Sequence, residues 1–220
     1  MASMTFSTEL AALMCSRLCH DMLSPVGALS NGLELLADEK DPEMRARCME
    51  LLEQSAKIST NKLKFFRLAF GAAGGFGGAV PVEEAQSVID ALVSDAKGVT
   101  QNWAISESSL PKPAVKVMLN LAHIALDALI RGGTLDIGAE LQGGNVEIVV
   151  RASGDRLAFD DNIGRAIQGE LAPGELSSRT AAAHMIATLA EEMGGGLQYK
   201  KTDTSLVMGA VLPQPEGMIG

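Results

Sequence analysis

Between residues 71 and 78 the chain reads GAAGGFGG, five glycines in eight positions. No helix or strand interior carries that density, because each glycine costs about 1 kcal/mol against alanine inside a helix. The stretch predicts a loop or linker that divides the chain into a part spanning residues 1–72 and a part spanning residues 79–220.

The first part has one period throughout. Apolar positions recur at Leu18, Met22, Pro25, Leu29, Gly32/Leu33 and Leu36, in steps of three and four. A stop follows in ADEKDPE. Asp41 there suits an N-cap, and Pro42 suits the first helical position, where its missing N–H costs nothing. The stripe resumes at Met44, Cys48, Leu51, Ser55, Ile58, Lys62, Phe65 and Ala69. The pattern predicts two long helices joined by a short turn, an antiparallel hairpin. Two amphipathic helices cannot enclose a core alone, and a second copy of the chain is the simplest source of two more. A homodimer built on a four-helix bundle is therefore expected.

The second part alternates. Residues 81–97 predict a helix with apolar positions at 85, 88, 89, 92 and 93, and residues 111–131 a second helix stopped by Gly132 and Gly133. TLDIGAEL and NVEIVVRAS predict two strands joined at Gln142-Gly143-Gly144. Residues 177–193 predict a third helix stopped by Gly194, Gly195 and Gly196, and LQYKKTDTSLVMGAVLP a closing hairpin. A mixed sheet with its helices on one face is an α/β sandwich.

Composition narrows the function classes. With 27 acidic and 18 basic residues the net charge is −9, which disfavours nucleic acid as a partner. No apolar run approaches the ~20 residues of a membrane span. MASMTFSTELAALMC has no basic region and carries Glu9, so no signal peptide is expected, and the cytoplasm is the expected compartment. Three cysteines cannot complete a disulfide framework. The spacing of Cys15, Cys19 and His20 matches neither haem attachment nor half of a zinc site, so no metal is expected. His123 and His184 lie in predicted helices without a matching acid or cysteine, which points to structural roles.

His20 carries the most information. The apolar stripe runs through 18, 22 and 25, so His20 projects outward from the hairpin. Arg17 at i−3 and Ser24 at i+4 share its face, and Asp21 flanks it. Pro25 removes a helix N–H and so frees the carbonyl of Asp21. A neutral imidazole is a nucleophile near pH 7. A carboxylate on one ring nitrogen fixes the tautomer and leaves the other free to attack, and a cation such as Arg17 can steady phosphoryl oxygens. Across the hairpin, residues 54–70 hold Lys57, Lys62, Lys64 and Arg67 and no acid. Cations near a helix C-terminus are favourable in any case. They also form an attractive surface for an acidic partner.

The H-D-x-x-S-P spacing of His20, Asp21, Ser24 and Pro25 resembles the phospho-accepting box of two-component histidine kinases. The hairpin resembles their dimerisation and histidine-phosphotransfer domain. VMLNLAHIALDALIRGG, NVEIVVRASGD and the segment from Leu176 to Pro213 resemble their ATP-binding domain, the Bergerat fold. Three nucleotide contacts of that family are replaced. Ile124 stands where the magnesium-binding Asn belongs, Ala152 where the adenine-binding Asp belongs, and Ser177-Ser178-Arg179-Thr180 where a glycine box belongs.

The resemblance therefore implies a degenerate ATPase-like domain that binds no ATP, in a histidine phosphotransferase of a multistep phosphorelay. It implies His20 as phospho-acceptor, with Asp21, Arg17 and Ser24 around it. A partner-binding surface is expected at Lys57, Asn61, Lys62, Lys64 and Phe65. The phosphoryl donor implied is the receiver domain of a hybrid histidine kinase of the CckA type. The acceptors implied are response regulators of the CtrA and CpdR type that control the cell cycle. Mg²⁺ would be supplied by the receiver. An ATP-dependent histidine kinase and a non-catalytic adaptor for receiver domains are the competing readings.

Overall fold

A computed structural model describes residues 2–71, 78–172 and 174–214. Two helices come first, α1 (Ala2–Asp38) and α2 (Pro42–Phe70). Their turn is built as the sequence predicts. Asp41 is the N-cap of α2 and its side chain accepts from the Glu43 N–H at 2.9 Å, with Pro42 at the start of the helix. Arg45 donates to the carbonyls of Leu36 and Glu39, groups that the end of α1 leaves without helical partners. Along α1, Pro25 and Gly32 are buried and Leu18, Met22, Leu29 and Leu36 half-buried, so the expected stripe faces α2. The Leu52 side chain lies so close against Gly32 that a Cβ there would collide with it. The glycine-rich stretch falls mostly at residues 72–77, outside the described residues.

The remainder is β1 (Ala79–Pro81), α3 (Val82–Asp95), β2 (Val99–Ile105), β3 (Ser109–Pro111) and α4 (Lys112–Ala128). Then follow β4 (Gly133–Gln142), β5 (Asn145–Ser153), α5 (Asp161–Ile167), α6 (Ala181–Glu192), β6 (Gly196–Lys201) and β7 (Ser205–Pro213). The large sheet has the order β2-β4-β5-β7-β6, with β2 parallel to β4 and the other pairs antiparallel. The β4–β5 hairpin turns on Gly143 and Gly144 at φ +60° and +79°. Left-handed geometry at both positions matches the right-handed strand twist.

Two boundaries differ from expectation. The second predicted helix ends at Ala128, where the Leu129 N–H turns back to the Leu126 carbonyl and Gly132 and Gly133 follow at φ +82° and +136°. Residues 177–180 form a turn, in which the Ser177 N–H donates to Thr180 Oγ1 at 3.0 Å, and α6 starts at Ala181. The strand β2 and the short helix α5 were not foreseen. The stop of α6 is a Schellman motif: Gly194 N–H donates to the Glu191 carbonyl and Gly195 N–H to that of Ala190.

One face of the sheet buries Leu135, Ile137, Ile148, Val150, Ala152, Leu206 and Met208 against the helices. Nearly all of α4 is buried there. The last turns of α2 enter the same core through Phe65, Phe66, Leu68 and Ala69. The two parts on either side of the glycine stretch therefore share one core, which holds the hairpin against α3, α4 and α6.

Candidate functional site

His20 stands on α1 with its side chain 85% exposed. Its Nδ1 lies 3.3 Å from Asp21 Oδ1. The other oxygen of Asp21 accepts from Arg17 Nε at 2.7 Å. Burial alone would push the Asp21 carboxyl up, but the Arg17 hydrogen bond and charge outweigh it and hold the group below the usual carboxylate range. Asp21 is thus an ionised bridge between guanidinium and imidazole. With Nδ1 engaged, the Nε2 edge of His20 is the one left to solvent.

Arg17 is shared. Its NH2 reaches Asp127 Oδ2 on α4 at 3.2 Å. Both ends of the guanidinium are therefore occupied by carboxylates, and Arg17 is not turned to the His20 ring. The expectation of a cation free to meet phosphoryl oxygens gives way to a cation that orients Asp21. Asp127 was not among the expected site residues. The only sequence signal for it is its i+4 spacing from His123 on one helix face.

Pro25 has the predicted effect on α1. It offers no N–H to the Asp21 carbonyl, and Lys62 Nζ donates to that oxygen at 3.0 Å. Lys62, expected on a partner-binding surface, instead ties α2 to the turn that carries His20. Ser24 lies exposed one turn beyond His20.

Two other expected partner-binding residues are corrected. Phe65 is 1% exposed and packs on the His123 ring at 4.7 Å between centroids. Asn61 is buried, with its amide 3.3 Å from Asp95 Oδ2 of α3. The C-terminal part covers this side of α2, which spacing within the helix could not reveal. Lys57 and Lys64 are exposed, but they project away from α1, as do all positions opposite the row Cys48, Leu52, Ser55 and Ser59.

His123 is not isolated from acids. Its Nδ1 lies 3.9 Å from Asp127 Oδ2. Burial pushes its pKa down, and the opposing pull of Asp127 does not reverse this. A cavity of about 50 Å³ opens here, lined by Arg17, Asn120, His123, Ile124, Phe159 and Arg179 among others. Cys15 and Cys19 are exposed and Cys48 buried, all as free thiols. Among the described residues no cluster of His, Cys, Asp and Glu is placed to hold a metal ion. None of the described helices is long and apolar enough to cross a membrane.

The chain is similar to known proteins along most of its length. Residues 82–205 match the family model of the histidine phosphotransferase C-terminal domain. The protein phosphotransferase ChpT of Brucella abortus is 33% identical over 202 residues, covering 92% of this chain and 95% of its own. A 1.7 Å structure of a bacterial phosphotransferase superposes with a TM-score of 0.79 at 32% identity, over 92% of this chain and 96% of that one. With an exposed helical histidine flanked by an ionised acid, and similarity along nearly its whole length, the chain belongs to the histidine phosphotransferase family.

Proposed function

We propose that the chain relays phosphoryl groups between receiver domains through His20. The observation that carries this is the pairing of His20 Nδ1 with the ionised Asp21 carboxylate, which leaves Nε2 facing solvent.

In the forward step the Nε2 lone pair attacks the phosphorus of a receiver's aspartyl phosphate in line. The new N–P bond forms as the P–O bond to the aspartate breaks, and the carboxylate leaves with the electron pair. The proton stays on Nδ1, where Asp21 offsets the positive charge developing on the ring. Attack by the next receiver's aspartate reverses the step. Mg²⁺ belongs to the receiver. Arg17 and Lys62 act on the reaction through Asp21, one at its carboxylate and the other at its backbone carbonyl. They are positioning residues.

The hybrid kinase of the CckA type is the proposed donor, and regulators of the CtrA and CpdR type the proposed acceptors, with control of the cell cycle as the outcome. The cytoplasm is the proposed setting. A homodimer is proposed from the apolar side chains that the hairpin leaves exposed, among them Leu23, Val26 and Leu33 on α1 and Met49 and Leu63 on α2.

Phosphoryl transfer without ATP is supported by the space beside α4. A nucleotide site needs roughly 300 Å³ or more, and the cavity beside Ile124 has about 50 Å³. Ala152 is fully buried in β5, with no polar group to offer an adenine.

The test mixes the protein with a radiolabelled phosphorylated receiver, and separately with labelled ATP. Label passing from the receiver and none from ATP, abolished by His20→Gln, is the expected result. Labelling by ATP would make the chain a kinase. Receiver binding without label would make it an adaptor.

A further inference from the structure

Stability does not explain Asp127. It lies in the last turn of α4, where the helix dipole disfavours an acid, and that turn holds no basic residue. Its carboxylate is exposed, and an exposed ion pair contributes little to the folded state. Yet Oδ2 of this one acid stands 3.2 Å from Arg17 NH2 on α1 and 3.9 Å from His123 Nδ1 on its own helix. Nearly all of α4 is buried, and Phe65 of α2 packs on the His123 ring one turn before. The acid is therefore presented to α1 from a fixed element.

What it does there follows from the shape of arginine. The Nε and NH2 donors form a planar fork that matches both oxygens of one carboxylate. Arg17 and Asp21 are four residues apart on one helix, a spacing at which such a pair meets. Left to themselves, the fork would close on both Asp21 oxygens. Instead, Nε donates to Asp21 Oδ2 at 2.7 Å, and NH2 is drawn to Asp127. Asp21 Oδ1 thereby stays available to His20 Nδ1, 3.3 Å away. The fork is split between two carboxylates, and the histidine receives the oxygen that the split releases.

We propose that Asp127 is a positioning residue for phosphoryl transfer: by holding one arm of the Arg17 fork, it keeps Asp21 Oδ1 on His20 and the ring proton on Nδ1. The inference rests on the relay reading of His20 and deepens it, because the C-terminal part then sets the attacking tautomer of a histidine on the hairpin. Without Asp127 the fork closes on Asp21, the ring loses its acceptor, and a neutral imidazole is free to carry its proton on Nε2. In that tautomer the solvent-facing nitrogen has no lone pair for the phosphorus. Lys62 cannot replace the lost contact, because it holds the Asp21 carbonyl and not the carboxylate.

Asp127→Ala decides it. Transfer from a labelled phospho-receiver is followed over a single turnover as the receiver concentration is raised to saturation. The ring nitrogens of His20 are read by ¹⁵N NMR on the free protein at about pH 8, above the ordinary histidine range. The variant should take label about tenfold or more slowly at saturation, with the half-saturating receiver concentration unchanged. Its His20 proton should move from Nδ1 towards Nε2. Asp127→Asn keeps an oxygen that can accept from Arg17 and should recover most of the rate. Arg17→Lys has no fork to close, so adding Asp127→Ala to it should slow transfer no further.

An unchanged rate in Asp127→Ala would overturn the proposal, and so would a slower rate with the tautomer unchanged. A raised half-saturating concentration in place of a slower saturated rate would also overturn it, by making Asp127 a receiver contact. A wild-type chain that takes no label, or a His20→Gln variant that does, would sink the relay itself, a failure read without touching Asp127. Circular dichroism melts check that substitution at this exposed position leaves the fold intact.

Discussion

The two carboxylates on Arg17 are not equivalent. Asp21 is largely buried, whereas Asp127 is 57% exposed. An exposed ion pair contributes about 0–1 kcal/mol, so Asp127→Asn should lower stability by less than about 1 kcal/mol. Arg17→Met strands the Asp21 carboxylate without its cation and should cost about 1–3 kcal/mol. Urea unfolding of the two variants measures the difference, and equal losses would refute the assignment. The pH dependence follows. The folded-state pKa of Asp21 is depressed, so its stabilisation is present above the unfolded pKa of about 3.9 and is lost as pH falls through the lower folded value. In Arg17→Met that loss should begin at higher pH, which carboxyl NMR of Asp21 would report directly.

At the scale of the element, α1 exchanges a helical hydrogen bond for a contact with α2. Pro25 removes the donor and Lys62 supplies another. Lys62→Met should therefore destabilise the protein by about 1–2 kcal/mol, since a half-buried carbonyl loses its partner. Made on a Pro25→Ala background, where the helix N–H is restored, the same change should cost little. A double-mutant cycle by chemical unfolding gives the coupling, and additive effects would mean the ammonium does not stand in for the proline's missing N–H. The expectation drawn from Pro25 alone ended at a freed carbonyl. Which side chain would take it depended on the height at which α2 passes.

For the whole molecule, the exposed apolar row along α1 and α2 is the feature the isolated chain leaves unexplained. Leu33→Asp together with Leu63→Asp should convert a dimer to a monomer in size-exclusion light scattering. It should do so without loss of helicity, because both positions lie away from the core shared by α2 and α4. A dimer that survives both charges would show that the contact lies elsewhere. That two amphipathic helices need further helices was legible in the periodicity, although of the exposed residues Leu23, Val26, Leu33, Met49 and Leu63 only Leu33 stands in the expected stripe. The shared core was not, because the glycine stretch signals a break in the backbone and carries no information on how the two sides pack.

What the sequence determined on its own is local. The turn at Asp41-Pro42, the Gly143-Gly144 hairpin, the stop at Gly194 and the outward direction of His20 all depend on groups within about five residues of one another. Spacing reports such contacts directly. The tertiary structure decided the rest: Lys62 on the Asp21 carbonyl, Asp127 on Arg17, and the burial of Asn61 and Phe65 beneath α3 and α4. Those pairs join residues of separate elements, 41 positions apart for Lys62 and Asp21 and 110 for Arg17 and Asp127. Whether such groups meet is settled by how the core closes, and only packing of the whole chain brings an acid of α4 to a guanidinium one turn from the histidine.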